Sequence, residues 1–485
     1  MRQRLLVMVV SGASLWVGQA QAVPDRLLQI IPADAPAVLL LDRASEAPTE
    51  NPAMTAGGFA AALLQHTRDM GLLRDVDTTV SLVADALALQ PELARYPRAV
   101  VLLDVKADPL SGGGFRLGGI AAGLIVLTGG DHLRLEGQIQ LLLNLYATRD
   151  TARLTQRSAN GTTIHTLTEQ RLPDWAPIEW GAVHDCYLIT VGSGAFERLA
   201  SVVGGTTKGL GAGEWFAEAH RRCRGPAARW EWYLAFDVLR ARLIAVMGEQ
   251  PREVLAALGL GEVARGLWTV GSEGRVVDAA CMFDGTGGRK YLPLSVTGPA
   301  IQAFDRVIPP GVRYVALMDA RPREMIPRAC KAYLAARSPY FRERITARWA
   351  ALESELGINT ETDLLGPLGR HVIVHDFPQH PLGLPLLRTV LVEIDGSPEA
   401  VRTALDRLLA HAQAYLAEHS GTANLIRLKR DEDGVWYLQF GLYGPALVVT
   451  DRWVVVSYSP QAVRQNVSYL SPQRQAASQP SSAVP

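Results

Sequence analysis

Residues 369–377 read GRHVIVHDF, and residues 97–105 read PRAVVLLDV. Each stretch has an arginine at its second position, runs through an apolar centre and reaches an aspartate. The β-branched Val-Ile-Val and Val-Val centres favour extended backbone over helix. If the two stretches are one strand of a repeated unit, matching neighbours should surround both.

They do. Upstream, Ile30-Ile31-Pro32 leads into AVLLLD ending at Asp42, and Val307-Ile308-Pro309 leads into YVALMD ending at Asp319. Downstream, AGLIVLTGGD (122–131) matches RTVLVEIDGS (388–397). A helix follows in each case. Its apolar stripe is Leu135, Ile139, Leu142 and Tyr146 in the first copy and Val401, Leu405, Leu408 and Ala412 in the second, the spacing of one buried helical face. Asn160-Gly161 and Asp433-Gly434 suit hairpin turns that need positive φ. DCYLITVGS (185–193) matches DRWVVVSYS (451–459), with Ser193 and Ser459 as expected caps of the next helix and Pro460 at its first position. Between the copies, WEWYLAFD (230–237) and LWTVGSEGRVVDAACMFD (267–284) give strand, helix, strand, strand, an abbreviated version of the same order.

The expected fold class is therefore α+β: two tandem copies of a largely antiparallel sheet with helices packed on one face, plus a shorter β-α-β-β segment between them. The expected boundaries are a leader over 1–22, a first repeat over 23–209, a middle segment over 210–300, a second repeat over 301–470 and a disordered tail over 471–485.

The totals narrow the function classes. A chain of 485 residues has room for more than one core. Lys plus Arg equals Asp plus Glu, at 48 each, so no basic excess exists to neutralise a nucleic acid. No block of charge points to an anionic membrane surface. Arg2 and Arg4, an apolar run from Leu5 to Val17 and Ala20-Gln21-Ala22 make a cleavable export signal. The run is too short for a membrane span, and no later segment qualifies as one. The destination is the periplasm or the extracellular space. Cys186, Cys223, Cys281 and Cys330 could form disulfides there, in any of three pairings. None has zinc-site spacing.

His371, His375, Asp376 and His380 are the candidate metal or acid/base residues. The repeat supplies a control: His371 falls where the first copy has Ala99, and His375 where it has Leu103. On a strand the two histidines share a face but stand about 13 Å apart, with Asp376 on the other face. They do not converge on one metal, and the expected assignment is catalytic none, cofactor none and metal none.

Other candidates have structural explanations. Asp42, Asp237 and Asp319 end strands before helical sequence and suit helix capping. Gly192-Ser193-Gly194 lacks the glycine spacing of a nucleophile elbow. The run 431–434, DEDG, lacks the spaced ligands of a calcium loop. The glycine-rich stretches 111–119 and 204–211 fit no nucleotide-binding spacing. Trp349 lies on a helical stripe with Ile345, Leu352 and Leu356, which predicts a core position.

The segment ALESELGINTETDLLGPLGRHVIVHDFP (351–378), with IPADA (31–35) and ALGLGEVARGLWTVGSEGRVVDAACMFD (257–284), resembles a family of exported bacterial proteins of unknown function. The resemblance implies a large repeated α+β chain with an export signal and carries no catalytic residues. The expected function is that of an exported non-catalytic binding or structural protein whose partner is an envelope protein or an apolar ligand. A carrier of lipid or another apolar ligand, and a metal-dependent hydrolase using the second-repeat histidines, are the alternatives.

Overall fold

The computed structural model describes residues 24–42, 92–109, 115–147, 152–159, 161–170, 173–224, 228–273, 276–296, 304, 307–312, 315–376, 388–419, 427–439 and 444–470. The expected leader, the expected tail and His380 lie outside them. The chain divides into two units. One comprises Met1–Arg252, Glu262–Glu273 and Ala279–Pro293; the other comprises Glu253–Gly261, Gly274–Asp278 and Leu294–Pro485.

The first unit begins with α1 (Asp25–Gln29), β1 (Ala37–Leu41), β2 (Arg98–Pro109), β3 (Phe115–Leu127) and α2 (Leu133–Ala147). Two hairpins follow, β4 (Ala152–Ala159) with β5 (Thr162–Glu169) and β6 (Ile178–Val183) with β7 (Cys186–Val191). Then come α3 (Ala195–Val203), α4 (Glu214–Cys223), β8 (Ala228–Ala235), α5 (Phe236–Met247) and α6 (Gln250–Ala257), whose residues from Glu253 on fall in the second unit. The strands β9 (Val263–Glu273), β10 (Val276–Gly285, its first three residues in the second unit) and β11 (Gly288–Pro293) close the series. Antiparallel pairing runs β1–β2–β3–β7–β6–β5–β4, and β8 lies on the free side of β1. The middle segment thus contributes β8, with β9 antiparallel beside it.

The second unit contains β12 (Val315–Asp319), α7 (Pro322–Ala335), α8 (Pro339–Leu356), β13 (Leu368–His375), β14 (Thr389–Ile394) and α9 (Pro398–His419). It ends with β15 (Arg427–Arg430), β16 (Trp436–Gln439), β17 (Ala446–Val449), β18 (Trp453–Ser457) and α10 (Pro460–Leu470). Its antiparallel pairing runs β12–β13–β14–β18–β17–β16–β15. Counted from the first strand of each series, the order of pairing is the same in the two units. Differences remain: α7 and α8 stand between β12 and β13, whereas residues 43–91 between β1 and β2 lie outside the described residues.

The expectation of helices on one face is corrected. In the first unit, α3 packs Phe196 and Leu199 into a core with Val101, Ile125 and Leu188. Leu135 and Ile139 of α2 join a separate core with Val126, Trp180 and Tyr187. Ile125 and Val126 are consecutive on β3, and so are Leu188 and Tyr187 on β7. Consecutive strand residues point to opposite faces, so α2 and α3 cover opposite sides. The second unit repeats this: Val463 of α10 packs with Val455, and Val401 of α9 with Val454. The cause lies in the strands. VVLL, LIVL and WVVV are apolar on successive residues, and a strand that is apolar on both sides needs cover on both.

Turn chemistry partly matches the sequence. Ala159 pairs with Thr162 across a two-residue connection in which Gly161 has φ +75°. The second hairpin is longer, since Arg430 pairs with Trp436 and Gly434 has φ +78°. There the Asp431 carboxylate accepts from the Val435 backbone N–H at 2.8 Å and holds the wider loop.

Candidate functional site

The histidine strand is β13. Pairing with β12 on one side and β14 on the other fixes it as a central strand of its series. His371, Ile373 and His375 alternate onto one face. His371 Nδ1 lies 2.5 Å from Glu393 Oε2, and Arg452 donates to the other oxygen of Glu393 at 3.1 Å. The Phe304 ring packs edge-on against His371. His375 is 1% exposed, with Nδ1 2.8 Å from the Asp376 carbonyl and Nε2 3.1 Å from Asn466 Oδ1 on α10. Burial pushes the His375 ring below its ordinary range, against smaller upward pulls from the Asp376 carbonyl and Asn466. The strand therefore gives the two rings separate partners at separate depths. Both ring nitrogens of His375 are engaged by structural groups, which leaves none for a ligand. Asp376 is buried at the strand end.

Of the three strand-end aspartates, Asp319 and Asp237 do not cap helices as expected, and the residues that Asp42 would cap lie outside the described residues. Asp319 lies 3.3 Å from Arg321 Nε and is also held by the Arg370 guanidinium. Arg370 above all, and Arg321 beside it, hold its carboxyl below the usual range. The helix α7 starts instead at Arg321, a non-glycine residue at φ +44°, with no side-chain cap. Asp237 sits inside the first turn of α5, where its charge favours the helix dipole, and the preceding Ala235 makes no side-chain cap bond. Asp42 is buried and its charge acts on Arg98. Arg98 donates to the Leu93 and Tyr96 carbonyls at 3.1 and 3.2 Å. Burial pulls the Arg98 guanidinium down to about 10, which keeps it charged near neutral pH. Asp319 thus meets a strand arginine where capping was expected.

Ser193 makes no cap bond either, because Gly194 occupies the cap of α3. Ser459 does cap α10, accepting from the Ala462 N–H at 3.4 Å. The glycines flanking Ser193 serve the backbone. Gly192 has φ +101°, and a Cβ there would stand 2.2 Å from the Ile120 carbonyl. At 431–434 both Asp431 oxygens are used, one by Val435 N–H and one by Arg464 at 2.8 Å, so the loop binds its own side chains. All four cysteines are free thiols. Cys186, Cys223 and Cys281 are buried, and burial pushes each thiol up to about 12. Cys330 is exposed.

Two features escaped the sequence. The first is a buried pair in the first unit: His220 Nδ1 of α4 lies 2.6 Å from Glu231 Oε2 of β8, and Glu231 is 0% exposed. Arg224 reaches His220 Nε2 at 3.2 Å. The neighbouring side chains are Phe216, stacked on the His220 ring, and Tyr233, so the pair is a structural link within the core. The helix α4 carries no acidic or histidine repeat that would have announced it.

The second is the α7–α8 surface of the second unit. Ser338 caps α8, Pro339 opens it, and Gly357 closes it at φ +61°. The helix α8 has no buried residue along its 18 residues. Trp349, expected in the core, is 42% exposed, and Ile345 is exposed beside it. Tyr340 at the start of α8 is 71% exposed, and Met325, Ile326 and Tyr333 are exposed on α7. Residues 343–351 are exposed without a break. The first half of the apolar stripe, Ile345 and Trp349, is therefore exposed, while Leu352 and Leu356 farther along it are half-buried.

Clefts on the second unit are charged. One of about 310 Å³ is lined by Arg402, Asp406, Arg430, Glu432 and Asp433 around Trp436. Another of about 270 Å³ lies among Asp363, Glu399 and Arg407, mixed with Ile358, Ala400 and Ala404. The first lacks the mostly apolar lining that an apolar ligand needs, and the second is mixed. Among the described residues, no group of three or more His, Cys, Asp or Glu side chains could hold a metal ion, and no helix is long and apolar enough to cross a membrane.

No family model and no curated protein matches the chain. A solved structure, that of crystal form III of TP0453, is weakly similar: it covers 58% of this chain and 86% of that one, at 9% identity and a TM-score of 0.25. A likeness this loose carries no argument about function. The resemblance to an exported family rests on the sequence motifs alone.

Proposed function

We propose that the chain is an exported, non-catalytic binding protein of the cell envelope or extracellular space, built by tandem duplication of one α+β unit. The export-type leader supports the location. The matched segments support the duplication, as does the common order of strand pairing in the two units. On this reading residues 23–209 and 301–470 are the two repeats, and 210–300 is an abbreviated copy between them.

The observation that carries the binding role is the exposed half of the apolar stripe of α8, Ile345 and Trp349. An exposed surface of this kind, rimmed by charge, marks an interaction site. Elsewhere the candidate side chains are consumed by the fold: Glu393 holds His371, Asn466 meets His375, and Arg464 takes Asp431. The charged clefts favour neither an apolar-ligand carrier nor a histidine hydrolase.

The test is capture from the native envelope fraction by the mature chain, compared with Ile345→Ser/Trp349→Ala. The double variant should retain its fold, since neither side chain is buried, and should lose the captured component. Equal capture by both proteins would remove α8 as the binding face. Turnover abolished by His375→Gln in a broad hydrolase screen would replace the reading with an enzymatic one.

A further inference from the structure

We infer that the α7–α8 surface docks on an anionic lipid membrane, lying on it without crossing it. This deepens the binding reading above and rests on it.

The argument begins with charge. The chain as a whole is neutral, but between Arg321 and Trp349 there are eight basic residues and two acidic ones, a net charge of +6, and with Glu353 and Glu355 near the end of α8 the stretch from Arg321 to Leu356 still carries +4. Some of these cations have local partners. Arg321 meets Asp319, Arg342 lies 3.2 Å from Glu253, and Arg337 stacks over the Tyr333 and Phe341 rings at 4.7 and 5.6 Å. Arg323, Arg328, Lys331, Arg344 and Arg348 take part in no ion pair among the described residues, and all five are exposed. A field of unpaired cations this dense in one helical hairpin calls for a polyanionic partner.

Charge alone would suit any polyanion. The apolar side chains narrow the class. On α7, Met325 and Ile326 are exposed between Arg323 and Arg328, and Tyr333 is exposed two residues after Lys331. On α8, Ile345 is exposed beside Arg344 and Trp349 beside Arg348, with Tyr340 exposed one turn before Arg344. Arginine flanking a stripe of tryptophan, tyrosine and aliphatic side chains is the chemistry of a helix at the headgroup boundary. The apolar groups enter the acyl edge, and the cations meet lipid phosphates. Tryptophan and tyrosine favour that depth because one end of each ring is apolar and the other polar. A nucleic acid would use the cations and leave Ile345, Ile326 and Met325 in water. Neither helix is apolar enough to span a bilayer, so the surface lies on the membrane.

Cys330 supplies the probe. It is exposed on α7, one turn from Ile326 and Tyr333, while the other three thiols are buried. A polarity-sensitive dye on Cys330 of the folded mature chain is titrated with vesicles of phosphatidylcholine alone or of equal parts phosphatidylcholine and phosphatidylglycerol. Binding and a blue shift are expected with the anionic vesicles only. Removing a basic residue should cost about fivefold in affinity, so Arg344→Gln/Arg348→Gln should lose about thirtyfold. Ile345→Ser/Trp349→Ala should lose at least about tenfold, with an unchanged melting transition.

Three results would overturn the inference. No vesicle binding, with capture from the envelope fraction still lost in Ile345→Ser/Trp349→Ala, would make the partner a protein and leave the binding reading intact. Binding to heparin or DNA without binding to vesicles would make the surface a plain polyanion site. Vesicle binding unchanged in both double variants would place the membrane contact elsewhere on the chain.

Discussion

Helices α8 and α9 carry the same apolar spacing, and the first halves of their stripes meet different fates, while Leu352 and Leu356 of α8 are half-buried like Leu408 and Ala412 of α9. Ile345, Trp349, Leu352 and Leu356 repeat at intervals of four, three and four, and so do Val401, Leu405, Leu408 and Ala412. In α9, Val401 is 0% exposed and Leu405 packs against the same core as Val454 and Ile394. In α8, no residue is buried. Periodicity states that a helix has an apolar side. It does not state what covers that side, because the cover comes from other parts of the chain or from another molecule. An uncovered stripe is therefore where a fold shows work left for a partner.

The largest test of this contrast uses one residue type in two settings. Trp180 is 2% exposed within the α2 core of the first unit. Trp180→Ala should lower unfolding stability by about 3–5 kcal/mol, the usual cost of removing a buried aromatic. Trp349→Ala should change it by less than about 0.5 kcal/mol. Urea denaturation of both variants measures the difference. A large loss in Trp349→Ala would mean that α8 is covered after all, and the contrast would collapse.

A smaller effect is expected at the buried pair. Glu231→Ala leaves His220 without its carboxylate and should cost about 1.5–3 kcal/mol, as for hydrogen bonds to charged groups. Glu231→Gln, which can still accept, should lose less. Equal losses would show that packing around Phe216 and Tyr233, and not the hydrogen bond, sets the value.

Next in size is a comparison between matched arginines. Arg98 donates to two backbone carbonyls and is partly buried, whereas Arg370 is exposed with Asp319 as its partner. Arg98→Ala should cost about 1–2 kcal/mol through the orphaned carbonyls. Arg370→Ala should leave the unfolding midpoint unmoved, because exposed ion pairs contribute little. Equal losses would mean that both arginines do the same structural job.

The sequence revealed a good deal of the scaffold. The apolar centres of 97–105 and 369–377 became β2 and β13, and Ser459-Pro460 placed the start of α10. Strands such as WVVVS hid how many sides the helices occupy, since a run apolar on every residue has no preferred face. The aspartates at strand ends looked like caps because the following sequence is helical. Only the folded chain shows Arg370 beside Asp319. The +6 segment was missed for a simpler reason, since acidic residues elsewhere cancel it in the total. His220 and Glu231 meet through the packing of α4 on β8, which no spacing encodes.

The finest test concerns His375, which the sequence match between 97–105 and 369–377 aligns with Leu103. Leu103 is 0% exposed in the first-unit core, so under that match an ionisable ring stands where an apolar side chain suffices. Burial lowers the pKa of that ring in the folded state, while the unfolded ring titrates near about 6.5. Between those two values the unfolded chain holds a proton that the folded chain lacks, so protons favour unfolding. The stabilising contribution is complete above about pH 6.5, is lost as the pH falls below it, and levels off below the folded value. No single group can change stability by more than about 1.4 kcal/mol per pH unit. The measurement is the difference in urea midpoint between the wild type and His375→Gln, followed from about pH 7.5 down to about pH 5. The wild type should lose ground on acidification relative to the variant. The substituted amide does not titrate, so any slope in the difference belongs to the ring and its neighbour Asp376. A difference that grew in favour of the wild type at low pH would mean that the Asp376 carbonyl and Asn466 hold an imidazolium. The histidine would then be a charged site with two oxygen partners, and its replacement of Leu103 would be a functional change rather than a tolerated one.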